Sequence, residues 1–111
     1  MKTKQKILKV TAVCLLAGSS FGADVAANWT KHCYSCHGKT GKGDTKAGRQ
    51  ADVKDLTDPK YQANFTDEQM FKQIKEGMKD KKGKEKMKPF GGILSDEEIT
   101  ALVAMVRTLK K

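Results

Sequence analysis

No stretch of this chain alternates apolar with polar residues or gathers β-branched ones, so the sequence offers no strands. The predicted fold class is therefore all-α. Large apolar side chains are few beyond residue 22, and a chain of this size so composed builds only a thin core. There are no internal repeats and no composition break that would mark a second folded unit, so 111 residues make one small domain. Histidine and cysteine are scarce, at two and three. A structural zinc site wants four ligands, usually in two pairs, and no second pair exists here. Nucleic-acid binding is also poorly supported, because the lysines are interleaved with acids and no recognition motif accompanies them.

The first residues read as a leader. Lys2, Lys4, Lys6 and Lys9 make a basic start, Val10 to Gly18 is mostly apolar and small, and Ser19 to Ala23 is a small-residue exit. That is the layout of a secretory signal peptide, with Ser20 and Gly22 suiting a cut before Ala23 and a cut after Ala27 as the second choice. The alternative is an uncleaved anchor, but the apolar run is short for a bilayer, so no stable membrane insertion is expected. Cys14 follows Val13 rather than a small residue, which argues against a lipoprotein cysteine. The expected division is a removed segment, 1–22, and a domain, 23–111. Removal takes away four lysines and leaves 18 basic against 13 acidic residues, a net charge of +5 instead of +9.

Local signals place the helices. Ala23 to Tyr34 reads as a helix, with Val25, Trp29 and Cys36 on one face. Residues 38–48 carry too much glycine for anything regular. Between Ala51 and Phe65 a short helix or none is expected, with a turn at Asp58-Pro59. Thr66-Asp67-Glu68-Gln69 is a capping box that starts a helix ending near Gly77, with Met70, Phe71, Ile74 and Met78 as its inner stripe. Residues 79–94 read as a lysine-rich loop. Ser95-Asp96-Glu97-Glu98 is a second capping box, and Ile99, Leu102, Val103, Val106 and Leu109 follow as an apolar stripe.

The chemistry sits in Cys33-Tyr34-Ser35-Cys36-His37. Two cysteines three apart with a histidine next read as a c-type haem attachment site. The thiols can add to the two vinyl groups of a haem, and the adjacent imidazole can reach the iron from one face. A thioredoxin-like dithiol would need a strand-helix-strand setting that the sequence lacks, and a plain disulfide leaves the histidine unexplained. A large flat cofactor would also fill the centre that the sparse side chains cannot.

The opposite face of the iron decides function, since methionine, histidine or an open site each means a different chemistry. Met70 and Met105 sit in helices and suit packing. Met78 follows Gly77 at a helix end and stays a candidate. Met87 precedes Lys88-Pro89, where proline stiffens the backbone, as a ligand reaching over the haem requires. His32 lies on the attachment turn and cannot easily reach the far face.

Residues 24–110 resemble the class I c-type cytochromes, the small single-haem bacterial kind. The resemblance rests on Cys33 to Gly38 and on Met87-Lys88-Pro89-Phe90-Gly91-Gly92-Ile93-Leu94-Ser95-Asp96-Glu97-Glu98. It implies a cytochrome c fold, about three to four helices around one covalently bound haem c, in which Trp29 meets the Leu102–Met105 stretch. It implies that Cys33 and Cys36 bind the haem, with His37 the proximal and Met87 the distal iron ligand. The chain departs from the family where Gly48 is followed by Arg49 instead of proline, and at Met105, where an aromatic is common.

With both axial positions filled, the expected function is a soluble one-electron carrier, monomeric and periplasmic or otherwise exported, rather than an enzyme. The alternative is a haem-c subunit of a larger respiratory or dehydrogenase complex; an open-iron, peroxidase-like enzyme is a third class. Lys79, Lys81, Lys82, Lys84, Lys86 and Lys88, against Asp80 and Glu85, read either as a solvated loop or as a docking ring for redox partners with acidic surfaces.

Overall fold

The computed structural model describes residues 24–111, so the expected leader, 1–22, lies outside the described residues. Residues 24–28 are α-helical, Trp29–Cys33 is a π-helical turn, and α1 (Tyr34–His37) completes the same run. The Tyr34 N–H donates to the Trp29 carbonyl five residues back, the signature of the wider turn. Gly38, at φ 80°, ends the run, as a residue without Cβ can.

The glycine-rich stretch is more regular than expected. It turns through Gly41 and Gly43 and enters α2 (Lys46–Gln50), which contains Gly48. The Thr45 hydroxyl accepts from the Gly48 N–H at 2.9 Å and lies 2.7 Å from the Ser35 carbonyl. The helix survives its glycine because the side of Gly48 faces backbone: a Cβ there would collide with the Cys36 carbonyl and lie 2.6 Å from that of Gly43. Next comes the short helix α3 (Pro59–Gln62), capped by Asp58, whose carboxylate accepts from the Lys60 N–H at 2.9 Å.

Both capping boxes form and open α4 (Asp67–Glu76) and α5 (Asp96–Thr108). Met70 is buried on α4, with Phe71 and Ile74 partly so. Met78 is not part of that stripe. It leaves the helix at Gly77 and begins β1 (Met78–Lys79), which pairs antiparallel with β2 (Glu85–Met87). The expected lysine loop is therefore partly a hairpin. Its turn is closed by the Asp80 carboxylate, which accepts from the Lys82 and Lys84 N–H groups at 2.9 Å each, with Gly83 at φ 84°. This signal lies in the turn and not in any apolar alternation of the strands, which is why pattern reading misses it.

The chain then returns to α4. The Phe90 and Gly91 N–H groups donate to the Ile74 and Lys75 carbonyls, both at 3.0 Å, satisfying acceptors that a helix end leaves open. The core joins Trp29, Met70, Phe90 and Leu94 to Ile99, Leu102, Val103 and Val106 of α5. Asn28 donates to Glu98 at 3.0 Å, which ties the first helical run to the start of α5. At the other end of α5, Arg107 donates to Asp67 at 2.8 Å and to the Phe65 carbonyl at 2.6 Å, while buried Gln62 donates to the Leu56 and Val106 carbonyls. The fold class agrees with the sequence reading, and the short helix α2 and the hairpin are additions to it.

Candidate functional site

A cleft of about 360 Å³ runs between the first helical run and the hairpin, and its lining includes Cys33, Cys36, His37, Val53, Met87 and Phe90. A smaller cavity of about 70 Å³ lies towards the core, where Cys33, His37 and Met87 recur beside Trp29, Met70 and Leu102. The four residues singled out from the sequence therefore meet in one place, although 50 residues separate His37 from Met87.

The π turn contributes to this convergence. Over the eight residues from Trp29 to His37, a regular α-helix would rotate the second side chain about 80° past the first. The wider turn takes back part of that offset. Trp29, Cys33 and His37 accordingly line the same small cavity. The Trp29 and His37 rings stand 5.9 Å apart at 36°, and the Trp29 indole N–H donates to the Gly38 carbonyl at 3.1 Å. That bond fixes the turn directly after the histidine.

The protonation states suit ligation. Burial lowers the His37 pKa, so the imidazole is neutral and a ring nitrogen is free to donate its lone pair. Its Nδ1 is buried with no hydrogen-bond partner among the described residues. Both thiols are free, and burial, together with the charge of Cys36, pushes the Cys33 thiol up to about 11.

The methionines separate cleanly. Met87, partly buried on β2, lines both the cleft and the inner cavity. Met70 reaches only the inner cavity and is core, and Met105 packs at the core margin. Met78 stands directly opposite Met87 in the hairpin, yet it is exposed and lines a different pocket. His32 packs edge-on against Phe90, with ring centroids 5.6 Å apart, at the cleft wall. The donor set fits a covalently held haem: two free thiols, a neutral imidazole, and a thioether from a separate segment.

Three contributors have no sequence signal of their own: the π turn, the Trp29 bond to Gly38, and the close approach of Gly77 to Met87, whose carbonyl oxygen would lie 2.6 Å from a Cβ on that glycine. Among the described residues, no helix is long and apolar enough to cross a membrane.

The family profile described as cytochrome C oxidase, cbb3-type, subunit III matches residues 22–106. The solved structure of the KustC0563 c-type cytochrome is similar, with 35% identity, a TM-score of 0.67, and coverage of 77% of this chain and 95% of that one. The structure of a point mutant of that cytochrome gives 34% identity and a TM-score of 0.66, covering 78% of this chain and 99% of that one. No curated protein matches the chain.

Proposed function

Because the chain belongs to the c-type cytochrome family of that profile, and so carries covalent haem c for electron transfer, we propose that it is a soluble, exported one-electron carrier with His37 and Met87 as the axial iron ligands. The observation that carries this reading is the meeting of Cys33, Cys36, His37 and Met87 in one cleft.

Haem supplies a reversible one-electron centre when bound. The chain's own residues decide how that centre is used. Cys33 and Cys36 anchor it through thioether bonds from α1 and the turn before it. His37 presents a neutral imidazole beside the Trp29 ring, whose indole N–H holds the Gly38 carbonyl directly after it. Met87 presents a thioether, a soft ligand that favours ferrous iron and raises the potential. With His37 and Met87 both holding the iron, substrate and oxygen would find no open site, which favours a carrier over an enzyme. Lys31, Lys86 and Lys88 line the cleft, and with the other lysines of the hairpin they suit partners with acidic docking surfaces.

A second reading, a haem subunit of a larger oxidoreductase, draws on the matched family, which is described as an oxidase subunit. One preparation tests both readings. The exported protein, matured in a haem-attaching host, should be red, retain its colour through acid-acetone extraction, and elute as a monomer. Its ferrous form should not bind carbon monoxide readily. A colourless folded protein overturns the haem reading. Isolation only within a stable complex favours the subunit, and ready carbon monoxide binding points to an open iron.

A further inference from the structure

His32, the other histidine of the chain, stands directly before Cys33 and lines the cleft. Its ring meets that of Phe90 near the perpendicular, at 68° with centroids 5.6 Å apart. Phe90 is buried and lies three residues beyond Met87. The contact therefore joins the two walls of the cleft. One is the run that carries Cys33, Cys36 and His37, and the other is the segment that carries Met87.

Each wall is anchored elsewhere. On the Met87 side, the Phe90 and Gly91 N–H groups donate to the Ile74 and Lys75 carbonyls, and the Phe90 carbonyl accepts from the Leu94 N–H at 2.8 Å. Pro89 lies between Met87 and Phe90 and restricts the backbone there, so a shift of Phe90 passes on to Met87. On the other side, Asn28, one turn before His32, donates to Glu98 at 3.0 Å and holds the run against the start of α5. Between two walls held in this way, the His32–Phe90 pair closes the gap at the cleft itself. The Lys88 ammonium lies over the Phe90 ring at 5.4 Å, but Lys88 belongs to the Met87 segment and does not cross the cleft.

We propose that His32 is a positioning residue for the distal iron ligand: its ring, packed on Phe90, holds the Met87 segment close to the attachment run, so that the thioether stays on the iron. This rests on the reading of Met87 as that ligand. The restraint matters most in the ferric state, because a thioether favours ferrous iron and holds ferric iron less firmly. His32 thus acts on the far face of the iron without reaching it, through the one aromatic ring next to the ligand segment.

The test uses haem-loaded wild type, His32→Ala and His32→Phe in the ferric state. Two readouts report whether the thioether is on the iron. One is the temperature at which the iron–thioether band is lost, set against unfolding followed by far-ultraviolet circular dichroism. The other is the rate at which cyanide displaces Met87. Loss of an aromatic pair should speed cyanide binding about two- to twelvefold in His32→Ala. It should also bring band loss to a lower temperature relative to unfolding. His32→Phe keeps a ring against Phe90 and should return both readouts to wild-type values. Unchanged cyanide rates and band loss in His32→Ala would overturn the proposal. So would band loss that falls only in step with unfolding, or a His32→Phe protein that behaves like His32→Ala. A wild-type ferric protein without the iron–thioether band would overturn the reading of Met87, and the proposal with it.

Discussion

Gly77 and Met87 are in backbone contact: a Cβ on Gly77 would stand 2.6 Å from the Met87 carbonyl oxygen and 2.8 Å from the Pro89 nitrogen. Gly77 also sits at φ 80°, ψ 179°, a region open in practice only to glycine. The end of α4 is thus shaped to let the strand carrying Met87 pass close behind it. Gly77→Ala should cost about 1–3 kcal/mol from the backbone conformation alone. It should also push Met87 away from the cleft, weakening the iron–thioether band and lowering the potential. Chemical denaturation and the ferric absorption spectrum of the loaded protein check both effects. An unchanged band in Gly77→Ala would show that the contact does not position the ligand.

Met87 and Met78 face each other across the hairpin but line different pockets. Met87→Ala should abolish the long-wavelength band, open ferrous iron to carbon monoxide and lower the potential, since the thioether favours ferrous iron. Met78→Leu should leave the band intact. The reverse pattern would assign the distal ligand to Met78.

Asp55 supplies a pH dependence. Its carboxylate accepts from the Thr57 hydroxyl at 2.6 Å and the Thr57 N–H at 2.8 Å, and the hydroxyl bond is the first cause of its lowered pKa. A folded pKa below the unfolded value means that the unfolded chain binds more protons in acid. The contribution is therefore complete above the usual carboxylate value of about 3.9 and is lost as pH falls through the lower folded value. Asp55 is exposed, so the effect is small. In acid titrations followed by circular dichroism, Asp55→Asn should be less stable than wild type near neutrality and converge on it in strong acid. A stability gap that persists in strong acid would contradict the linkage.

The hairpin lysines make the last prediction. Docking by charge acts mainly on encounter rate and weakens as salt shortens the screening length to about 10 Å near 0.1 M. Lys82 stands in the hairpin turn, and Lys88 lies over the Phe90 ring at 5.4 Å, at the cleft wall. Lys82→Gln with Lys88→Gln should slow electron transfer to an acidic partner at low salt and flatten the salt dependence of the second-order rate. The potential should barely move. Parallel salt curves for the double variant and wild type would leave these lysines as a solvated surface.

The sequence by itself determined whatever is encoded within a few residues. Cys33 to His37 and the two capping boxes each occupy four or five positions, and each declares its chemistry without help from the rest of the chain. The α5 stripe was equally legible, because one helix face gathers Ile99, Leu102, Val103 and Val106 whatever packs against it. Tertiary structure decided what depends on distant neighbours. Gly48 reads as a helix breaker until the Cys36 carbonyl is seen beside it, and Gly77 reads as a plain helix stop until Met87 passes behind. The π turn adds no residue type that marks it. The hairpin also needed the tertiary view, since Met78 and Met87 are alike in composition and differ only in which pocket their strand presents them to. Local chemistry is written in adjacent residues, but the close approach of two backbones depends on both at once, and neither segment carries it alone.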